Sequence, residues 1–322
     1  MNTSMVKKVD SYIDHKFGLG YIYRTESFML RSFAKYADQY APGKPLTVKL
    51  ALEWATQPQT KSETYHAKRL DALRAFARHQ ATFEPDTEIP PGKILGPSCS
   101  RVSPHIYTNE ETIALMRAAL SIKPLALCAK TNPVRNATLI GLLACTGMRV
   151  GEVLALKNKD VDLVQGIITV RESKSMPMRL VPITECTVRK LFQYQEARDQ
   201  CFGQAHESGA FFRSSWDRPL SYASFLVGFG SILERAGLNN KEASGRQPRI
   251  HDFRHTFACN HLLRAYQENR NIDDAVHKLS VYLGHANLQS TYWYLTGIPV
   301  LFEQCVMRFE SQSTSRRNGV NR

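Results

Sequence analysis

The sequence lacks a long apolar segment. Its longest candidate, around Thr138 to Cys145, falls far short of the roughly 20 apolar residues that a helix needs to span a bilayer. No motif repeats at a fixed period, which argues against a solenoid. With 322 residues, 43% of them hydrophobic, the chain can fill one large core or two ordinary ones. These features predict a soluble globular protein without a membrane partner.

The sequence also lacks a disulfide pattern. Its cysteines are odd in number, include no Cys-x-x-Cys pair and follow no secretory leader. The seven positions are 99, 128, 145, 186, 201, 259 and 305. We therefore expect reduced thiols in a cytoplasmic protein.

Acidic residues are few relative to basic ones. The 42 lysines and arginines exceed the 29 acidic residues, which gives a formal net charge of +13 at pH 7. Such an excess suits a polyanionic partner, because each phosphate that Lys or Arg neutralises releases counterions from DNA. A solvated basic surface is the alternative, and charge alone does not separate the two.

Apolar spacing predicts three helices in the first 95 residues, at Ser27–Tyr40, Val48–Ala55 and Lys61–Phe83. The first helix would place five apolar side chains near one face: Phe28, Leu30, Phe33, Tyr36 and Ala37. The third has an apolar stripe, and its other faces carry four candidate DNA-contacting residues: Lys68, Arg69, Arg74 and Arg78. A solvated basic face is again the alternative.

A break in the pattern separates two domains. The prolines and glycines between Pro85 and Pro104 can neither sustain a helix nor give the alternation of a strand. We place a linker at residues 96–107. Helical signals resume at Thr108, where Glu111 three residues later completes a capping-box pattern. A second, larger domain therefore begins at residue 108.

The second domain is predicted to be mainly helical with a small β-sheet. Helical patterns cover Pro133–Leu156, with a break near Gly147, and return from Thr187. Between them, Gly166–Ile183 contains two β-rich runs around a polar turn, which predicts a hairpin.

Four separated segments of this domain contain side chains that suit phosphate chemistry. His251 and Arg254 are spaced i and i+3, so both can reach one ligand from one helical face. Taken singly, each residue has an ordinary structural explanation, such as a solvent-exposed cation or an ion pair with Asp252 or Glu152. A metal site at His251, His255 and Cys259 is a weaker alternative, because a fourth ligand at the usual spacing is missing. In chain order the candidates are Arg149, the hairpin Lys174, His251, Arg254, His285 and Tyr294.

In this order the segments resemble the tyrosine recombinase (integrase) family, which includes lambda integrase, Cre and the Xer proteins. The resemblance covers about residues 108–309. It rests on Thr-Gly-Met-Arg-Val-Gly-Glu, His-Asp-Phe-Arg-His-Thr-Phe-Ala and Leu-Gly-His-Ala-Asn-Leu-Gln-Ser-Thr-Tyr-Trp-Tyr. Two departures exist: Phe253 stands where leucine is commoner, and Leu295-Thr-Gly-Ile-Pro follows the tyrosine where a histidine or polar residue often occurs.

The resemblance implies that the two arginines hold the scissile phosphate. Arg149 and Arg254 would bind its non-bridging oxygens with bidentate, charge-assisted hydrogen bonds. Glu152 matches the acidic residue that orients the first arginine. Lys174 would protonate the leaving 5′-oxygen.

The remaining catalytic residues would supply the nucleophile and its partners. Tyr294 would attack phosphorus and form a 3′-phosphotyrosyl bond, and its spacing from His285 favours it over the neighbouring Tyr292. His251 would be the general acid/base partner of the tyrosine, and His285 would hydrogen-bond the phosphate. No metal ion, nucleotide or other cofactor is then required.

The resemblance also implies an architecture and partners. Residues 1–95 would be a helical, SAM-like core-binding domain, 96–107 a linker, 108–310 an α+β catalytic domain and 311–322 a polar tail. The two domains would form a C-shaped clamp on double-stranded DNA at specific recombination sites. An apolar terminal helix, residues 299–309, would join protomers in a homotetramer on DNA, with accessory recombinases or DNA-bending proteins as further possible partners.

Three functions fit the residues. A site-specific recombinase of a mobile genetic element, associated with the nucleoid and working through a Holliday junction, is our first expectation. A type IB topoisomerase uses a related residue set but relaxes supercoils as a monomer, and strand exchange between two duplexes would separate the two. A non-catalytic DNA-binding accessory protein predicts missing catalytic side chains, whereas every expected position is filled here.

Overall fold

The computed structural model describes residues 4–57, 59–98, 103–124, 129–171, 178–239, 247–284 and 291. The chain divides into two compact units, Met1–Val102 and Ser103–Arg322. The division falls inside the predicted linker, 96–107. In the described part of the chain, no helix is both long enough and apolar enough to cross a membrane.

The N-terminal unit contains four helices, α1 (Met5–Gly18), α2 (Arg24–Tyr40), α3 (Val48–Thr56) and α4 (Glu63–Gln80). Helices α2, α3 and α4 were predicted to within three residues at both ends. Polar caps explain two of the starts, because Thr47 Oγ1 accepts from Leu50 N (3.2 Å) and Ser62 Oγ accepts from Tyr65 N (3.3 Å). The core includes large side chains from every helix: Tyr12, Phe33, Trp54 and Phe76.

The predicted apolar face of α2 is wrong at one position. Phe28 is 73% exposed, while Leu30, Phe33 and Ala37 are buried as expected. The buried set also includes Ser27, Met29 and Ala34. The helix turns these residues inward together with Leu30 and Phe33, and Phe28 lies on the opposite side. A large aromatic side chain is therefore left on the surface.

The proline-rich segment packs against the N-terminal unit as far as Pro91. Glu88 N donates to Leu46 O (2.9 Å), and a carboxylate oxygen of Glu88 accepts from Val48 N (2.6 Å) at the start of α3. Arg74 of α4 donates to Pro90 O and Pro91 O. Since prolines lack an N–H, Pro90 and Pro91 are held through their carbonyls, whereas Glu88 is held through its N–H and its carboxylate.

The C-terminal unit is built around one buried helix. Its helices are α5 (Asn109–Ser121), α6 (Asn132–Thr146), α7 (Val150–Leu154), α8 (Glu185–Phe202), α9 (Tyr222–Arg235), α10 (Asp252–Gln267) and α11 (Ile272–Leu283). Helix α6 contacts α5, α8, α9 and α10. This central position accounts for the apolar run around Thr138 to Cys145. The capping box of Thr108 and Glu111 starts α5 as predicted.

A small antiparallel sheet completes this unit. Strands β1 (Val161–Asp162), β2 (Ile167–Val170) and β3 (Arg179–Pro182) lie in chain order, and Val170 is opposite Arg179. Ile168, Val170 and Val181 are buried in the core of the unit. The predicted hairpin is confirmed. Residues 171–178, which include Lys174, connect its two strands.

Candidate active site and DNA-contacting surface

A tight turn delivers Arg149 to the site. Helix α6 ends at Gly147, whose backbone is left-handed with φ +60°, and Arg149 then caps the start of α7. A Cβ atom at Gly147 would lie 2.6 Å from the Phe257 ring. Glycine therefore meets two demands here, a left-handed backbone and a close approach to a side chain. This is the local reason for the Thr-Gly-Met-Arg sequence.

Arg254 lies in the first turn of α10 and is almost completely buried, with 3% exposure. Its Nη1 donates to Gly147 O (3.0 Å), and its Nη2 donates to Leu283 O (2.6 Å). The guanidinium thus joins the turn before Arg149 to the end of α11. A planar fork with several donors suits this position better than a flexible ammonium group would.

Arg149 contacts the same end of α11. Its Nη2 donates to Gly284 O (3.0 Å), one residue beyond the carbonyl that Arg254 binds. Gly284 ends α11 in a left-handed conformation with φ +66°. The two arginines therefore meet at consecutive carbonyls immediately before His285, although they are 105 positions apart in the sequence.

Glu152 is held between two arginines. Its Oε1 accepts from Arg149 Nη1 (2.9 Å) and Arg179 Nη1 (3.1 Å), and its Oε2 accepts from Arg149 N (2.9 Å) and Arg179 Nη2 (2.6 Å). Burial alone would raise the pKa of this carboxyl, but the hydrogen bonds from Arg179 and Arg149 outweigh it and lower the pKa. Glu152 is therefore a carboxylate over the whole neutral range.

Arg179 is the residue of this cluster that sequence reasoning missed. It was not among the candidate site residues that the sequence predicted. Its side chain is 10% exposed and forms a fork-to-fork pair with Glu152. A signal was present in the sequence, because a charged residue at the start of a strand that enters the core needs a partner. The identity of that partner requires the fold.

His251 immediately precedes α10, and its ring centroid lies 4.9 Å from that of His255. Burial lowers the pKa of His251, and the nearby cations Arg254 and Arg249 lower it further. The imidazole is thus biased towards its neutral form, which can accept a proton.

The start of α10 is supported from the other side by Tyr107. The Tyr107 ring stacks on Phe253 with centroids 4.2 Å apart, and its hydroxyl donates to Arg249 O (3.1 Å). Tyr107 N donates to Thr256 Oγ1 (2.9 Å). This stacking gives a physical reason for phenylalanine at position 253, where leucine is commoner in the family that the sequence resembles.

Three predicted catalytic residues, Lys174, His285 and Tyr294, lie outside the described residues, as do Tyr292 and the terminal helix, 299–309. Their roles stay predictions. The metal interpretation of His251, His255 and Cys259 is wrong: no group of three or more His, Cys, Asp or Glu side chains able to hold a metal ion occurs among the residues that the structure describes. Cys259 is buried, which raises the pKa of its thiol to about 12.

The four candidate DNA-contacting residues of α4 separate into two groups. Lys68 and Arg78 are exposed. Arg69 is 6% exposed, and its guanidinium carbon lies 3.9 Å from the centroid of the Trp54 ring. The expectation that Arg69 faces phosphates is contradicted by this burial, because a cation packed on a core tryptophan stabilises the fold.

Arg74 is also engaged within its own unit. It donates to Pro90 O (2.8 Å) and Pro91 O (2.7 Å), and it forms an ion pair with Asp71. Its side chain is only 11% exposed. Arg74 therefore binds the proline-rich segment to α4. The sequence pattern did not indicate this contact.

A second basic face lies on α2. Arg24, Phe28, Arg31 and Lys35 are exposed at helical spacing and line an open groove of about 800 Å³. Arg31 forms an ion pair of 2.9 Å with Asp10, in which both side chains are about half exposed. The i, i+4, i+7, i+11 spacing of these residues was visible in the sequence, but Phe28 was assigned to the core.

Comparison with known proteins identifies the family. The family model described as "Phage integrase family" matches residues 108–297. A Sinorhizobium fredii protein named as an integrase/recombinase, y4rB, is 35% identical over 310 residues, which are 96% of this chain and 98% of the relative. The tyrosine recombinase XerC of Chlamydia trachomatis is 28% identical over 238 residues, covering 72% of this chain and 68% of the relative.

Solved structures agree at the level of the fold. The Tn1549 transposon integrase in complex with circular intermediate DNA matches with a TM-score of 0.66 at 17% identity, covering 96% of this chain and all of that chain. The XerH site-specific recombinase in a post-cleavage complex matches with a TM-score of 0.65 at 20% identity, covering 89% and 79%.

The chain therefore belongs to the phage integrase family, the tyrosine recombinases. The resemblance inferred from the motifs is confirmed, and so are the fold of mainly helices with a small sheet and the assignment as a DNA recombinase or integrase. Nothing in the comparisons favours the topoisomerase or the non-catalytic alternative.

Proposed function

We propose that this recombinase cuts and rejoins DNA through a covalent bond between Tyr294 and a 3′-phosphate. The phenolic oxygen attacks phosphorus, and the bond between phosphorus and the 5′-oxygen breaks. The free 5′-hydroxyl of another strand then attacks the phosphotyrosine and releases the tyrosine. Because the energy of the cut is kept in the covalent bond, strand exchange through a Holliday junction needs no nucleotide hydrolysis.

The observation that carries this proposal is the convergence of Arg149 and Arg254 on the end of α11. Two guanidinium groups from distant parts of the chain meet at the carbonyls of Leu283 and Gly284. His285 follows directly in the sequence. Preorganised donors at this point can stabilise the negative charge that develops on the non-bridging oxygens of the phosphate.

Proton transfer completes the chemistry. His251, with its lowered pKa, accepts the proton of the Tyr294 hydroxyl during cleavage and returns it during rejoining. Lys174 protonates the leaving 5′-oxygen, and His285 hydrogen-bonds the phosphate. Charge stabilisation by the two arginines makes a metal ion unnecessary in this scheme, so we propose metal-independent cleavage without a cofactor.

The N-terminal unit supplies a second surface that contacts double-stranded DNA. Lys68 and Arg78 of α4, together with Arg24 and Lys35 of α2, are exposed cations suited to phosphate contacts. This proposal replaces the original set of four, because Arg69 and Arg74 are engaged in the fold. The proposed core-binding, linker, catalytic and tail boundaries stay at 1–95, 96–107, 108–310 and 311–322.

We further propose that the protein acts at the recombination sites of a mobile element, as a nucleoid-associated homotetramer on DNA. Residues 299–309 would join neighbouring protomers, and accessory recombinases or DNA-bending proteins would assist. The transposon integrase named above was solved in complex with circular intermediate DNA. Its similarity of fold supports this choice of biological setting.

The test is covalent trapping on a nicked suicide duplex taken from the ends of the element that encodes the gene. In EDTA, the wild type should form a protein–DNA adduct, whereas Tyr294→Phe should bind the duplex and form none, because it lacks only the attacking hydroxyl. An adduct with Tyr294→Phe would contradict the proposed nucleophile and point to Tyr292. An adduct that appears only with added divalent metal would contradict metal independence.

A further inference from the structure

We propose that Arg179 is a positioning residue whose positive charge, acting through Glu152, leaves Arg149 free to act on the scissile phosphate. This inference rests on the proposed function, since it concerns the cleavage step. It starts from an arrangement that the catalytic motifs do not require: a buried carboxylate bound by the backbone N–H and one guanidinium nitrogen of Arg149 and by two guanidinium nitrogens of Arg179.

Each oxygen of Glu152 receives one hydrogen bond from Arg149 and one from Arg179, at 2.6 to 3.1 Å. A carboxylate has about four acceptor sites, so these four bonds saturate it. The side chain of Glu152 is only 5% exposed, and water cannot replace a lost donor easily. Removal of Arg179 would therefore leave half of a buried carboxylate unsatisfied, next to Arg149.

Charge balance gives this arrangement its function. Arg149 and Glu152 alone form a neutral pair, which would do little to stabilise the negative charge that develops on the phosphate oxygens during cleavage. Arg179 brings the net charge of the cluster to +1. The Arg149 side chain is 32% exposed and that of Arg179 is 10% exposed, so a phosphate can approach the cluster mainly at Arg149. In a site of low dielectric, a net charge acts more strongly than it does in water.

The location of Arg179 also keeps it from contacting DNA in place of Arg149. It lies at the start of β3, opposite Val170, and its two terminal nitrogens are both bound to Glu152. A residue in this position acts through Glu152. Without Arg179, the Glu152 carboxylate would neutralise more of the positive charge of Arg149 and compete with the phosphate for its N–H groups. The loss of Arg179 should therefore resemble a partial loss of Arg149.

The experiment compares Arg179→Gln with the wild type on three suicide duplexes of one sequence. These have a normal scissile phosphate, a neutral methylphosphonate, or a 5′-bridging sulfur, which leaves without protonation. On the normal phosphate, we expect Arg179→Gln to cleave about 100-fold more slowly, as misplacement of a binding group can cause, with unchanged DNA affinity. On the methylphosphonate, whose cleavage needs less positive charge, Arg179→Gln and the wild type should cleave at nearly the same rate. On the duplex with the bridging sulfur, Arg179→Gln should keep the same deficit relative to the wild type as on the normal phosphate.

Two controls separate positioning from folding. Arg198→Gln removes another buried arginine that pairs with a carboxylate, Asp199, on α8, and it should lower the melting temperature without changing the cleavage rate below that temperature. Arg179→Lys keeps the charge without the fork, so it should recover part of the lost rate and provides the same test if Arg179→Gln does not fold.

The outcomes are distinct. An equal deficit of Arg179→Gln on all three duplexes would overturn the proposal and leave a purely structural role. Rescue by the bridging sulfur alone would also overturn it, because the residue would then act on protonation of the leaving group. If the wild type formed no adduct on any duplex, the proposed function would fail instead.

Discussion

Arg254 shows how one residue can serve the fold and the chemistry together. It is buried, and its two terminal nitrogens bind the carbonyls of Gly147 and Leu283. Only a planar side chain with several donors can bridge these two carbonyls and still present an N–H edge to a phosphate. Its proposed role in catalysis therefore depends on geometry as well as on charge.

Arg254→Lys tests that geometry. It keeps the positive charge but loses the fork, and we expect the cleavage rate to fall by about 10²–10³, with little change in DNA affinity. Arg264→Lys, at an exposed position near the other end of α10, is the matched control and should cleave like the wild type. Single-turnover cleavage and a binding titration on the same duplex separate the two effects. A cleavage rate near that of the wild type would show that charge alone suffices at position 254.

His251 provides a second prediction, on pH. Four neighbouring charges act on it: Arg254 and Arg249 lower its pKa, Arg149 lowers it less, and Asp252 raises it. A base with a lowered pKa stays deprotonated to lower pH, so cleavage should persist below the pH at which an ordinary histidine would be protonated.

Arg249→Gln should shift the acid limb of the cleavage profile to higher pH. It removes one repelling cation, and it also removes the guanidinium that neutralises the buried carboxylate of Asp252 at 3.1 Å. Both changes raise the pKa of His251. Cleavage rates measured from acid to neutral pH check this, with Arg264→Gln as the control on the same helix. An unshifted limb would show that His251 is not the base that governs it.

At this scale the sequence indicated the candidate residues better than it indicated their contacts. The residue types and their order singled out Arg149 and Arg254, which the structure brings to consecutive carbonyls, and His251, whose pKa both arginines lower. The catalytic roles of these three residues stay predictions. Arg69 was misassigned and Arg179 was missed for one common reason: whether a cation is solvated, packed on an aromatic ring or paired with a carboxylate depends on residues far away in the sequence.

Among the elements, the turn between α6 and α7 constrains the site most strongly. Gly147 ends α6 with a left-handed backbone, contacts Phe257 and offers its carbonyl to Arg254. A side chain here would strain the backbone and push against a ring, which cannot move as the end of a flexible chain can. The turn therefore couples stability to the placement of both arginines.

Gly147→Ala should lower the melting temperature by about 3–8 °C, since left-handed backbone at a non-glycine residue costs about 1–2 kcal/mol and the clash with Phe257 adds to it. Cleavage should fall as well, because Arg254 loses its alignment. Gly151→Ala is the control for stability: a Cβ atom there meets nothing within 4 Å, and alanine favours a helix. Thermal unfolding of both variants decides the matter, and equal melting temperatures would refute the assigned role of Gly147.

Elements were predicted well where a local pattern determines them. The capping box at Thr108 and the hairpin strands followed from short-range signals, and α6 from its apolar run. Helix α1 was not singled out, although its buried residues Met5, Val9, Tyr12 and Ile13 have helical spacing. Phe28 was misassigned to the buried face of α2 because it is aromatic, although the sequence does not show which residues would pack against it.

For the whole molecule, the net charge of +13 is not a uniform DNA-binding surface. Several cations are engaged in contacts within the fold. Arg69 packs on Trp54, Arg74 binds two proline carbonyls and Asp71, and Arg179 pairs with Glu152. Composition predicted a polyanionic partner but counted every cation alike. The structure separates the cations that stabilise the units from those that are exposed to solvent.

The salt dependence of DNA binding measures this separation. Lys68→Ala and Arg78→Ala should each weaken binding and reduce the slope of log K against log salt by about one, because each exposed cation that contacts a phosphate releases about one counterion. Arg69→Ala should leave the slope unchanged and lower the melting temperature, since it removes a cation packed on Trp54. Binding titrations over a range of salt concentrations give the slope, and thermal unfolding of each variant gives the melting temperature.

An unchanged slope for both Lys68→Ala and Arg78→Ala would contradict a DNA contact by α4. The basic face of α2, tested with Lys35→Ala, would then be the surface of the N-terminal unit that contacts DNA.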